Sequence, residues 1–191
     1  MASPMENGVR LRAGGDGHLS APFDLFVYGR AALALGFKDA PARFQATMDV
    51  DAILPSKDIL GLEQNLGFWE AQRMTNEELA DSGLFFTHLF EDRQVILTPD
   101  WLVNVVALIG PGFAKLRLYR PSTVDLVLTK MMRIDPEDRE DIRFLVAQQD
   151  CRPDGLRTAL NRAVIPPVAE IQDAFARNRT WLKDAGLLDV I

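Results

Sequence analysis

Residues 23–55 read FDLFVYGRAALALGFKDAPARFQATMDVDAILP, and this stretch joins two strand-like runs through a short helix and a polar link. The first run, Phe23–Tyr28, is apolar and leads directly into Gly29. Glycine permits a tight exit from a strand that a side chain would obstruct. The alanine- and leucine-rich residues that follow predict a short helix from Arg30 to Leu35.

The second run carries two aspartates at alternate positions. Side chains two apart in a strand lie on the same side, roughly 6 to 7 Å apart, so Asp49 and Asp51 are predicted to form a carboxylate pair. Val50 and Ala52 alternate with them and are expected to face the core. Paired carboxylates favour the binding of a divalent metal.

The amino-acid composition limits the class of protein, the partners and the compartment that are compatible with this stretch. The 191 residues are 48% hydrophobic and 25% charged, which indicates a globular protein of one domain, with or without a small helical appendage. The net charge of -6 provides no overall positive field for nucleic acid, so DNA is not expected as a partner. One cysteine, Cys151, and two histidines argue against a disulfide framework and a zinc site and favour a reducing cytoplasm.

No segment is predicted to enter a membrane. No apolar run reaches the roughly 18 residues that span a bilayer. The first residues, MASPMENGVRLRAGGDG, lack the apolar centre of a signal peptide. We expect residues 1–18 to form a flexible arm, residues 19–150 the main domain, and residues 151–191 a C-terminal helical region packed on it.

Short strands mixed with helices predict an α+β fold with a small mixed sheet, flanking helices and a helical C-terminal region. A helix is predicted from Pro55 through Arg73, and most of the apolar residues that recur in it at helical spacing are expected to face the core: Leu60, Leu62, Leu66 and Trp69. Residues 84–90 and 94–97 are predicted to form a hairpin. Two helices broken at Pro166 and Pro167 are predicted to end the chain.

Four motifs occur in a characteristic order: YGRAALAL at 28–35, DVD at 49–51, DLVLTKMMR at 125–133 and DREDI at 138–142. Over residues 20–150 the chain resembles the nucleotidyltransferase superfamily, in particular small bacterial nucleotidyltransferase-like proteins related to abortive-infection and toxin–antitoxin nucleotidyltransferases. The order of the motifs is more specific than any one of them.

The resemblance implies transfer of a nucleoside monophosphate from an NTP to a hydroxyl on a protein or an RNA, with Mg²⁺ or Mn²⁺. Asp49 and Asp51 would bind the metal and take part in catalysis. Gly29 and Arg30 would contact the triphosphate, and Lys130 would balance its negative charge.

The family pattern also implies a third carboxylate on a neighbouring strand. Glu91 is the first choice because it ends the longer strand, and Asp92 and Asp100 are the alternatives. Asp138 and Asp141 would either orient Lys130 or Arg133 or form a solvated helix face.

A different class of function stays open. Active relatives carry a small residue after the first glycine, whereas this chain has the bulky Arg30. That departure favours a catalytically inactive protein with the same fold, such as one component of a toxin–antitoxin pair that binds its cognate partner.

Overall fold

A computed structural model describes residues 16–19, 21–46, 49–82, 85–108 and 115–188. The chain forms two compact units. The first, here called the sheet unit, comprises Met1–Glu91 and Val106–Arg120. The second, the helical unit, comprises Asp92–Val105 and Pro121–Ile191.

A mixed five-stranded sheet organises the sheet unit. Its strands are β1 (Phe23–Tyr28), β2 (Asp49–Leu54), β3 (Phe85–Glu91), β4 (Val106–Ala107) and β5 (Leu116–Arg120), in the spatial order β3-β2-β1-β5-β4. The central strand β1 is antiparallel to β2 and parallel to β5. Strand β2 is parallel to β3, and β4 is antiparallel to β5. The predicted α+β class with a small mixed sheet is therefore confirmed.

The opening strand and helix form as the sequence predicts. Leu25 and Val27 are buried on one face of β1, as its alternation requires. The chain turns at Gly29, whose φ of 67° lies in the left-handed region that glycine adopts without strain. Helix α1 (Gly29–Gly36) follows and buries Ala32 and Leu33 completely. Val50 and Ala52 are also buried, as predicted.

The single helix predicted from Pro55 through Arg73 is wrong. A 3-10 turn at Ser56–Asp58 leads into helix α2 (Ile59–Glu63), and a separate helix α3 (Leu66–Leu79) follows. The side chain of Asn65 accepts a hydrogen bond from the N–H of Phe68 and so caps the new helix. Helical spacing does not continue across this break, and three residues predicted to be core are exposed, namely Leu60, Leu66 and Trp69.

The predicted hairpin at residues 84–97 is also wrong. Strand β3 ends at Glu91 and pairs in parallel with β2, while Asp92–Gln94 forms a 3-10 turn. Leu97 instead makes an isolated antiparallel bridge with Val164 inside the helical unit. The apolar residues Val95, Ile96 and Leu97 are buried without pairing as a strand with β3.

The helical unit contains α4 (Thr123–Lys130), α5 (Pro136–Val146), α6 (Pro153–Arg162) and α7 (Ala169–Asp184). Helix α4 packs against α5 and α6. The N–H and hydroxyl of Thr98 each donate to Oδ1 of Asp125 at 2.8 Å, which ties the 92–105 segment to α4. The two predicted C-terminal helices are present, and the break between them includes Pro166 and Pro167.

Helices α6 and α7 share the helical unit with α4 and α5, and the predicted domain boundary at residue 150 stays a prediction. Most of the predicted arm lies outside the described residues. Its last three residues are helical, and the Asp16 carboxylate accepts a hydrogen bond of 2.8 Å from the N–H of Leu116. No helix in the described ranges has the length and apolar character to cross a membrane.

Candidate functional site

Gly29 and Asp51 meet where β1 ends. Tyr28, the last residue of β1, is the register partner of Asp51 on the antiparallel strand β2. A Cβ added to Gly29 would lie 3.7 Å from Oδ2 of Asp51, and apart from the chain neighbours of Gly29 no other described atom would lie within 4 Å of it. The Asp51 carboxylate therefore lies beside the start of α1.

The same point of the fold presents the positive end of a helix. Helix α1 begins at Gly29, and its N-cap, Tyr28, makes no side-chain capping hydrogen bond. The first turn of α1, which the structure describes in full, contains no acidic residue. The backbone N–H groups and the dipole of such an end favour a bound anion, and Arg30 adds a positive side chain there.

A histidine that the sequence-based reasoning did not assign to the site lies against Asp51. His88 Nδ1 is 3.4 Å from Oδ1 of Asp51. The His88 ring is tilted on Phe90 at a centroid distance of 5.9 Å, and Phe90 meets the edge of Tyr28 at 5.7 Å. The alternation of side chains along β3 was the signal in the sequence that could have assigned His88 to the site. Its use required knowing that β3 is the neighbour of β2.

Asp49 begins β2 and is the register partner of Phe85 on β3. Its side chain lies outside what the structure describes, so the predicted carboxylate pair stays a prediction. Among the side chains that are described, no group of three or more histidines, cysteines or acids is spaced to hold a metal.

Glu91, the predicted third carboxylate, is not brought to Asp51. Its register partner is Leu54, three residues beyond Asp51 on β2. Successive side chains of a strand alternate between faces, and each residue advances about 3.3 Å. Glu91 therefore lies on the opposite face, about 10 Å along the strand. Of the alternatives, both in the helical unit, Asp100 pairs with Arg162 at 3.1 Å.

Lys130 lies in the helical unit, where it is buried with two acids. Its Nζ donates to Oδ1 of Asp138 at 3.0 Å and to Oδ2 of Asp141 at 2.7 Å. Arg133 also bonds to Asp138. Asp138 and Asp141 thus orient the basic side chains and do not form a solvated face. The predicted role of Lys130 toward a triphosphate stays a prediction.

The electrostatics of this cluster set the charge of Asp138. Burial raises its pKa, but the hydrogen bond from Arg133 and the charge of Lys130 outweigh burial and hold the pKa below its usual value. The Asp138 carboxylate is therefore ionised at neutral pH. Such a compensated buried network is suited to fixing the orientation of α4 against α5.

Together, Gly29, Asp51 and the start of α1 place a carboxylate beside a helix N-terminus. This combination suits a polyphosphate whose charge is shared between helix N–H groups and a cation held by carboxylate oxygens. His88 adds a nitrogen donor on the other side of the same carboxylate.

Comparisons with known proteins agree with this chemistry. A protein-family model described as a nucleotidyltransferase of unknown function (DUF6036) matches residues 18–164, which is more than half of the chain. Comparisons with curated proteins and with solved structures find no match. The matched range includes all the site residues predicted from the sequence, and the resemblance to nucleotidyltransferases is confirmed. The chain belongs to this family of nucleotidyltransferases of unknown function.

Proposed function

We propose that this protein transfers a nucleoside monophosphate from an NTP to a hydroxyl group on a protein or an RNA. In this reaction the acceptor oxygen loses its proton and bonds to the α-phosphorus, and pyrophosphate leaves. The observation that carries the proposal is the approach of Gly29, in its left-handed conformation at the start of α1, to Oδ2 of the Asp51 carboxylate. Membership of the family supports the reaction class.

The triphosphate would bind at the start of α1. Gly29 has no side chain to obstruct it, and the first N–H groups of α1 would donate to the phosphates, because the first turn of a helix has no intrahelical acceptor for them and the N-cap Tyr28 makes no side-chain capping hydrogen bond. Arg30, the second residue of α1, would supply positive charge to the phosphates.

The divalent cation would bind to Asp51 and to Asp49, two residues earlier in β2. The exposed fraction of the Asp51 side chain is 34%, and carboxylate oxygens are the ligands that Mg²⁺ and Mn²⁺ prefer. When bound, the metal would neutralise phosphate charge and stabilise the attacking and leaving oxygens. Because Glu91 lies on the other face, we assign it no role in the metal site.

Calorimetry with a non-hydrolysable NTP analogue and Mg²⁺ tests the site. We expect Asp51→Asn and Asp49→Asn each to abolish metal-dependent binding. Asp24→Asn is the matched control, because Asp24 is also a partly exposed strand aspartate of this sheet, paired with Arg117. Unchanged binding in an Asp49→Asn, Asp51→Asn double variant would contradict the site.

Incubation of the protein with NTPs labelled at the α-phosphate, in the presence of cell protein or RNA, tests the reaction. We expect label to appear on one of these acceptors and to disappear with Asp51→Asn. Intact NTP binding without any transfer would instead identify an inactive protein with this fold.

A further inference from the structure

His88 reaches Asp51 through an irregularity in the sheet. The β2–β3 register shifts between Val50 and Ala52, so two residues of β3, Thr87 and His88, lie opposite Asp51. An extra residue of this kind bends a strand and redirects a side chain. Here the redirected region includes the one described histidine that meets a carboxylate of the candidate site.

The separation of the two side chains suits a shared ion better than a direct hydrogen bond. His88 Nδ1 and Asp51 Oδ1 are 3.4 Å apart. Hydrogen bonds from nitrogen to oxygen are typically about 2.7 to 3.2 Å. Two donor atoms, each about 2.1 Å from one metal ion, are about 3.0 Å apart at a right angle and about 3.4 Å apart at the tetrahedral angle.

Both side chains of the pair are partly exposed, and the two oxygens of Asp51 have different surroundings. The exposed fractions of the side chains are 67% for His88 and 34% for Asp51. The other oxygen of Asp51, Oδ2, is the one that faces the space beside Gly29. Phe90 supports the histidine ring from within β3. The two oxygens of Asp51 thus face different neighbours, one a nitrogen donor and the other the start of α1.

We propose that His88 is a metal ligand through Nδ1, together with Asp51, and that the site therefore prefers a transition metal such as Mn²⁺ or Co²⁺ over Mg²⁺. This inference rests on the metal site of the proposed function and adds one ligand and a selectivity to it. Imidazole nitrogen suits first-row transition metals, whereas Mg²⁺ is bound mainly by oxygen. His88 thereby occupies the position toward β3 where a third carboxylate was predicted.

Pulsed EPR of Mn²⁺ bound to tag-free protein tests the ligand directly, without any measurement of activity. The chain contains only two histidines, so a nitrogen coupling typical of coordinated imidazole has only two sources. We expect the coupling in the wild-type protein, its loss in His88→Asn at saturating Mn²⁺, and its retention in His18→Asn. His18 is a suitable control because its Nε2 bonds to Glu78 at 2.8 Å.

Calorimetry with Mn²⁺ alone and Mg²⁺ alone tests the selectivity. We expect His88→Asn to weaken Mn²⁺ binding by about tenfold or more and to change Mg²⁺ binding far less. The highly exposed His88 can be replaced without disturbing the core, which circular dichroism of the variant will verify.

The possible failures are distinguishable. Mn²⁺ binding that depends on Asp51 but shows no imidazole coupling, or a coupling that survives His88→Asn, would overturn the ligand assignment and leave the proposed function standing. Mn²⁺ binding that is unchanged in Asp51→Asn would overturn the metal site itself, and with it both proposals.

Discussion

Lys130 donates from Nζ to Oδ2 of Asp141 across 2.7 Å, although Lys130 is only 7% exposed and Asp141 is fully buried. The same ammonium group bonds to Asp138, so one cation serves two carboxylates. Removing one member of a buried ion pair leaves the other charge without compensation. This relationship makes the cluster sensitive to substitution on α4.

Lys130→Met is expected to lower the free energy of unfolding by about 3 to 5 kcal/mol, because it leaves two buried carboxylates without their shared donor. Urea denaturation followed by circular dichroism measures the loss. Arg177→Ala is the control, because it breaks an exposed pair with Asp173 that is worth less than about 1 kcal/mol. A Lys130→Met variant of normal stability that no longer binds NTP would instead support the predicted triphosphate role.

Asp138 is expected to stabilise the fold above the ordinary aspartate pKa and to lose that effect in acid. Its pKa is lower in the folded protein than in the unfolded chain, so folding is favoured while the group is ionised. This contribution is complete above about pH 4 and is lost as the pH falls through the folded pKa. Urea midpoints of the wild type and Asp138→Asn should therefore differ at pH 7 and converge toward pH 2.5. A constant difference over this range would contradict the prediction.

Gly29→Ala is expected to lower stability by about 1 to 2 kcal/mol, because the φ of 67° is unfavourable for a residue with a Cβ. The added methyl group would also contact Asp51 Oδ2 and weaken metal-dependent NTP binding. Thermal unfolding and calorimetry measure the two effects. Gly61→Ala provides the comparison, because a Cβ there meets nothing within 4 Å inside α2 and should be neutral or stabilising. Equal effects of the two substitutions would count against the geometry at Gly29.

Cys151 is expected to be inert in the folded protein. Burial, together with the charge of Asp150, raises the pKa of its thiol to about 12. At pH 8 the reactive thiolate is then on the order of a thousandfold scarcer than in an exposed cysteine, so alkylation by iodoacetamide should be correspondingly slow. Complete and rapid labelling in denaturant is the control. Equally rapid labelling of the native protein would show that the residue is accessible.

Local patterns predicted the parts of the fold that local forces determine. The strand before Gly29, the strand β2 and the C-terminal helices all appear where the sequence indicates. The helix predicted from Pro55 to Arg73 was wrong because a short polar side chain, Asn65, caps a new helix and interrupts the period. A cap competes locally with helix continuation, and apolar spacing alone does not reveal which one wins.

The sequence failed to predict His88 as a site residue and wrongly predicted the hairpin at residues 84–97 for the same reason. Both depend on pairing between strands that are distant in the sequence. The sequence does not show that β3 lies parallel to β2, and without that register neither the approach of His88 nor the separation of Glu91 can be derived. Burial of Asp138 and Asp141 was likewise hidden, since the buried carboxylates are compensated by Lys130 and, for Asp138, also by Arg133. Such compensation depends on tertiary geometry and leaves no periodic signal in the sequence.

The central place of β1 has a consequence for how the chain is made. Phe23 is paired with Leu116 in the finished sheet, so one hydrogen-bonding edge of β1 has no partner on the growing chain until β5 leaves the ribosome. An unpaired apolar edge is a template for association between chains, and closing so long a loop slows folding. Truncation before β5 should therefore yield aggregates, and slower translation between β3 and β5 should lower the yield of folded protein.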